Sequence, residues 1–166
     1  MGTTQILGRI VWGKSPRWTF IRAGVLAFVA FITFKFILLP IKISGCSMEP
    51  AYHNGSVNMV NALRYRILLP KRGDVVAIEL AGRRVLLLKR IIGMPGDRVA
   101  FVNGAVLISG EKLPEPYLKK KCDWNRAEVL VGPDEYFVVG DNRQMPIEYH
   151  TFGRVKRTKI VGTPLW

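Results

Sequence analysis

Val85-Leu86-Leu87-Leu88-Lys89-Arg90-Ile91-Ile92-Gly93-Met94-Pro95-Gly96-Asp97 is an apolar run interrupted by two adjacent cations and closed by glycine and proline. A short run of this kind, bounded by turn residues, predicts a strand buried on both faces. Gly93, Pro95, Gly96 and Asp97 then read as the turn that ends it. A lysine inside such a strand is either functional or costly, because its ammonium must leave water. The plainer account of Lys89 is a strand-edge residue whose stem packs on apolar surface while its head reaches solvent.

Working outward from this strand, the chain from residue 40 onward keeps one texture, short β-branched runs divided by Gly, Pro, Asn and Asp. Strands are predicted over 56–60, 75–80, 85–92, 99–101 paired with 106–108, 135–139 and 159–162. Asn103-Gly104 is a strong two-residue hairpin turn. The stretch from Glu111 to Asn125, with Pro114, Pro116 and Lys119-Lys120-Lys121, reads as a solvated loop. The fold class is therefore mainly β, a domain over residues 40–166. A chain of 166 residues suits one such domain plus an anchor, and hence one active site. With 49% hydrophobic residues, 10 Pro and 16 Gly, it fits neither disordered, collagen-like nor disulfide-scaffold classes.

Upstream, residues 23–39 are apolar except for Thr33 and Lys35, and positions 23–34 show no polar face, unlike an ordinary core helix. They predict one transmembrane helix at the short end of what crosses ~30 Å of hydrocarbon, with Ile21 and Ile41 extending it. Lys35 lies near one end, where its stem can snorkel to the headgroups. Arg9, Lys14, Arg17 and Arg22 precede the span, and no acid occurs before Glu49. The rule on basic residues therefore makes 1–22 a cytoplasmic segment and sends the β domain to the outer side of the plasma membrane. A cleaved leader would need a small-residue site after Leu39, and none follows. Ile43-Ser44-Gly45-Cys46 resembles a lipoprotein box, but Pro40 and Lys42 separate it from the apolar run.

The net charge of +13 suits nucleic acid, anionic lipid or merely a basic surface. Its concentration beside the span favours membrane lipid, and aromatic-plus-basic stacking motifs for nucleic acid are missing. His53, a loop residue, and His150 lie in no cluster of Cys or acids, so no metal site and no cofactor are expected. Cys46 and Cys122 would meet an oxidising compartment, where a disulfide is allowed. Cys46 as a nucleophile would require a histidine that nothing places near it.

Ser47-Met48-Glu49-Pro50, the Lys89–Asp97 segment and Gly140-Asp141-Asn142-Arg143, with a weaker Arg72-Gly73-Asp74-Val75-Val76, resemble the signature boxes of the bacterial type I signal peptidases. Order, spacing and the preceding span all match, over residues 45–153. The set is specific where any one box is not. The resemblance implies a serine endopeptidase with Ser47 as nucleophile and Lys89 as general base. A hydroxyl is a weak nucleophile until a base takes its proton, and a Ser-Lys pair does this without histidine. Such a lysine must be desolvated, since an exposed one has a pKa near ~10.4.

The resemblance further implies that the Ser47 amide meets the oxyanion, with either backbone groups or Ser44 completing the hole, since Gly45 stands where some relatives carry a hydroxyl. Asp141, Asn142 and Arg143 support the lysine, and Arg90 pairs with an acid from that region. The implied partners are secreted precursors bearing signal peptides, with small side chains one and three positions before the cut. They would be bound as an added strand. An accessory β region, reduced to about 97–134, is expected around the Asn103-Gly104 hairpin. Eukaryotic relatives place histidine where Lys89 stands, so neither His53 nor His150 inherits that role. The sequence also departs from the family: Pro146, Glu148, Tyr149 and His150 replace its Ser, Asp, Ser and Arg. Pro146 has no hydroxyl to orient Lys89, Tyr149 and Thr151 carry the nearest ones, and Glu148 is the acid placed by alignment to pair with Arg90. The alternative function is a catalytically inactive, membrane-anchored binding or scaffold protein. The self-cleaving repressor proteases share the chemistry but carry a DNA-binding domain in place of the span.

Overall fold

The computed structural model describes residues 16–79, 86–120 and 122–165, in two compact units divided after Leu38. Arg9, Lys14, Lys121 and the strand-end residues Leu80 and Val85 lie outside the described residues.

The first unit holds helix α1 (Pro16–Ile32), continued by a wider π-turn over Thr33–Ile37. Proline at the first helical position has its φ already set and gives up a hydrogen bond that would be orphaned anyway. Thr33 Oγ1 donates to the Val29 carbonyl at 2.9 Å where the helix widens. Arg17–Ile37, 21 residues, is long and apolar enough to cross a membrane. The helix thus runs over 16–37 where residues 23–39 were expected to be helical: it starts earlier, and Leu38 and Leu39 open a strand instead. Pro40 has no N–H to continue the helix and pushes Leu39 into extended geometry.

The second unit carries two antiparallel sheets. Its strands are β1 (Leu38–Lys42), β2 (Val57–Asn61), β3 (Val75–Glu79), β4 (Leu86–Gly93), β5 (Arg98–Val102) and β6 (Ala105–Ile108). They continue as β7 (Glu111–Lys112), β8 (Arg126–Leu130), β9 (Glu135–Val139), β10 (Gly153–Lys156) and β11 (Ile160–Pro164). A short helix, α2 (Arg64–Ile67), follows β2. The larger sheet runs β1-β2-β11-β3-β4-β9-β10 and the smaller β7-β6-β5-β8. The smaller sheet, around the hairpin at Asn103 (φ 47°) and Gly104 (φ 78°), falls at 98–130.

β4 lies inside the larger sheet, where Lys89 pairs with Val76 of β3 and Arg90 with both Val75 of β3 and Val139 of β9. Leu88, Ile91 and Ile92 each enter a buried apolar cluster, which fixes the strand that carries the two cations. The stretch 111–125 departs from the expected solvated loop. It contains β7, and Trp124 is buried among Phe101, Val106 and Phe137. β8 and β10, edge strands bearing charged residues, gain their structure from pairing with β5 and β9 rather than from apolar alternation.

Candidate active site

Ser47 sits in the turn after β1. Gly45, at φ 95°, permits the reversal, and its amide donates to Asn54 Oδ1 at 3.0 Å. The Met48 side chain, 2% exposed, pins the turn into the core beside Val60, Ala77 and Leu88. The adjoining Ser47 hydroxyl accepts a hydrogen bond from Lys89 Nζ at 2.8 Å. Lys89 is 3% exposed, and burial pushes its pKa down to about 8, opposed by the nearby Cys46 thiol. A strand that cannot bend away and a turn anchored by Met48 therefore bring together groups 42 residues apart.

The turn after β9 grips the backbone of Ser47. The Asn142 amide donates to the Ser47 carbonyl at 2.9 Å, and Asn142 Nδ2 donates to the Cys46 carbonyl at 3.0 Å. This approach is close enough to demand glycine at 140: a Cβ there would lie 2.1 Å from the Ser47 carbonyl oxygen and 2.6 Å from His150 Cε1.

Two arginines hold that turn in place. Arg90 meets Asp141 through two hydrogen bonds, Nε to Oδ1 at 2.8 Å and a terminal nitrogen to Oδ2 at 2.6 Å, and also donates to the Gly73 carbonyl at 2.7 Å. The acid that pairs with Arg90 is thus Asp141. Glu148, expected there from the alignment, is exposed on a short 3₁₀ turn over Ile147–Tyr149 and is not part of that pair. Pro146 precedes that turn and so directs the chain outward. Arg143 is fully buried: it donates to the Gly140 carbonyl at 3.0 Å and pairs with Glu115 at 2.5 Å. Glu115 also accepts from the Tyr117 hydroxyl at 2.6 Å, and the Tyr117 ring lies 4.1 Å from the Arg90 guanidinium. The segment read as a solvated loop thereby braces both arginines. A signal was present, since two arginines beside one buried turn require acceptors, and Glu115 stands between two prolines that restrict the chain.

Ser44 is exposed, and Gly45 presents open space where a Cβ would be. Tyr149 is exposed as well. His53 is exposed, its carbonyl accepting from Ser56. Cys46 and Cys122 are both free thiols, Cys46 Sγ lying 3.6 Å from Met145 Sδ. The weak Arg72-Gly73-Asp74 box is structural. Arg72 pairs with Asp97 at 2.9 Å, the Gly73 amide donates to the Ile91 carbonyl, and Asp74 accepts from the Tyr65 hydroxyl.

Comparison with known proteins identifies a family. Residues 17–166 match the family described as signal peptidase, peptidase S26. The chain is 32% identical over 163 residues to signal peptidase I of Bacillus licheniformis, covering 90% of this chain and 87% of that one. It is 30% identical over 160 residues to signal peptidase IB of Staphylococcus aureus, covering 86% and 83%. A solved signal peptidase I from Enterococcus faecalis aligns with 58% of this chain and 97% of its own at 27% identity, with a TM-score of 0.46.

Proposed function

The chain belongs to the signal peptidase family of S26 peptidases, and we propose from this that it is a membrane-anchored serine endopeptidase working through a Ser47–Lys89 dyad. Its reaction is the removal of N-terminal signal peptides from precursor proteins. The observation that carries the dyad is the 2.8 Å hydrogen bond between two side chains whose surroundings suit the chemistry.

Neutral Lys89 takes the proton of Ser47 Oγ as that oxygen attacks the scissile carbonyl. The Ser47 amide, which donates to no acceptor among the described residues, stabilises the developing oxyanion. The Lys89 ammonium then protonates the leaving amine, releasing the mature protein and leaving the signal peptide as an ester on Ser47. Water, deprotonated by Lys89, hydrolyses that ester and restores the hydroxyl. Asp141, Asn142 and Arg143 act through position alone: Asn142 locks the Ser47 and Cys46 carbonyls, and Asp141 and Arg143 hold the turn that carries it. The substrate lies extended beside the site with small side chains one and three positions before the bond. Arg17–Ile37 anchors the protein in the plasma membrane, with the N-terminus cytoplasmic and the β domain outside.

The test is incubation of the detergent-solubilised protein with a signal-peptide precursor, the cut being mapped by mass spectrometry. Cleavage at the end of the signal peptide is expected, and Ser47→Ala and Lys89→Ala should each abolish it while the double variant is no worse. Failure to cut several precursors would overturn the function. Substantial turnover by Lys89→Ala would overturn the dyad.

A further inference from the structure

His150 is a buried titratable residue that the mechanism leaves idle. It is 4% exposed, and neither Nδ1 nor Nε2 makes a hydrogen bond among the described residues. Buried polar atoms without partners are uncommon and require a reason. The ring is held by aromatic edges, with centroids 4.9 Å from Trp124 and 6.0 Å from Phe152. On its other side it flanks Gly140, as does the Ser47 backbone: Nε2 and the Ser47 carbonyl oxygen lie 2.9 and 2.1 Å from the point a Cβ on Gly140 would occupy.

The charges around the ring come from three places: Lys89 on β4, and Arg143 and the Asn142 backbone in the turn after β9. Burial and then Lys89 disfavour the imidazolium most, the Asn142 backbone favours it, Arg143 disfavours it by less, and the pKa falls to about 4. At the pH where Lys89 works, His150 is neutral and keeps one acceptor nitrogen. Lys89 Nζ, meanwhile, makes one hydrogen bond among the described residues, to Ser47 Oγ, and its ammonium form has further protons to place.

We propose that His150 is the positioning residue for Lys89, its neutral ring supplying, through one water, the acceptor that Pro146 cannot. The inference rests on the Ser47–Lys89 dyad and extends it. The imidazole replaces a hydroxyl as the group that aims Nζ at Ser47, and its aromatic clamp makes that aim rigid.

Two histidines in the chain make the test simple. Imidazole NMR of the full-length protein in micelles should show His150 titrating near 4, and in Lys89→Met the same resonance should titrate about one unit higher, because a neighbouring cation is gone. Identical titrations in the two proteins would overturn the proposal. Kinetics on a soluble peptide supply the second readout. His150→Phe keeps the ring packing but loses both nitrogens, so kcat should fall about 10- to 100-fold with KM little changed. The acid limb should move to lower pH, because the Lys89 ammonium has lost an acceptor. His150→Gln should recover part of the rate. A His150→Phe enzyme with wild-type kcat and an unmoved limb would defeat this inference while an inert Ser47→Ala left the dyad standing. A Ser47→Ala enzyme that still cleaves would instead defeat the dyad itself.

Discussion

Replacing Lys89 by methionine should destroy activity and yet stabilise the fold at neutral pH. Burial lowers the lysine's pKa from 10.5 to about 8, and at 1.36 kcal/mol per unit this amounts to about 3 kcal/mol. Below pH 8 the amine is protonated in both folded and unfolded chains, so the folded state carries that whole penalty. Between 8 and 10.5 the unfolded chain binds more protons than the folded one, so wild-type stability rises with pH; above 10.5 the penalty has vanished. Methionine fills similar volume without charge. It forfeits the hydrogen bond to Ser47, about 1 kcal/mol, leaving a net gain of about 2 kcal/mol at pH 7. That gain is several degrees in Tm. Paired melts of wild type and Lys89→Met in micelles, followed through buried Trp124 between pH 6 and 10.5, should show a gap that is level up to about 8, then closes, and reverses by about 1 kcal/mol near 10.5, where only the lost hydrogen bond remains. Every other titrating group is present in both proteins, and the upward shift of His150 in Lys89→Met, from about 4, falls below this pH window. A variant less stable than wild type at pH 7, or a gap that ignores pH, would refute the claim that Lys89 is held desolvated at a cost.

The same lysine predicts that kcat/KM on a soluble peptide climbs about tenfold per pH unit to an inflection near 8 and then levels, since only the neutral amine accepts the serine proton. An acid limb centred near pH 10 would mean an amine open to water. Gly140→Ala places a methyl 2.1 Å from the Ser47 carbonyl oxygen, so Ser47 must move, and kcat should drop about 100-fold; wild-type kinetics would show that the turn does not position Ser47. Asp141→Asn strands the Arg90 charge and should cost about 3–5 kcal/mol in thermal or urea melts, whereas Glu148→Ala, exposed and outside that pair, should stay within about 0.5 kcal/mol of wild type. Equal melts for these two variants would contradict the ion pairing described for Arg90.

Much of the fold is legible because β-branched runs and punctuating turns are local signals. The strand through Lys89, the Asn103-Gly104 hairpin and β9 all follow from a few adjacent residues. β8 and β10 carry no such signal, since an edge strand is made by its neighbour. The start of α1 was obscured by Arg17 and Arg22, which interrupt the hydropathy but not the helix. Within the site, Ser47 and Lys89 were marked by their boxes, but their supports depend on contacts distant in sequence. Alignment favoured Glu148 as the partner of Arg90 by position in a motif. Asp141 takes that place because it lies on the turn facing β4, while the 3₁₀ turn after Pro146 carries Glu148 to solvent. Glu115 and Tyr117 were hidden by flanking prolines and lysines that are usual in solvated loops, and His150 by the absence of any local partner.

The most direct measurement of the central claim is to quench the enzyme with acid during turnover of a precursor and map any covalent adduct by mass spectrometry. The account predicts a signal-peptide ester on Ser47 in wild type, and none in Lys89→Met or Ser47→Ala. An adduct on the neighbouring Cys46, or an ester that accumulates on Ser47 at the wild-type rate without Lys89, would contradict it.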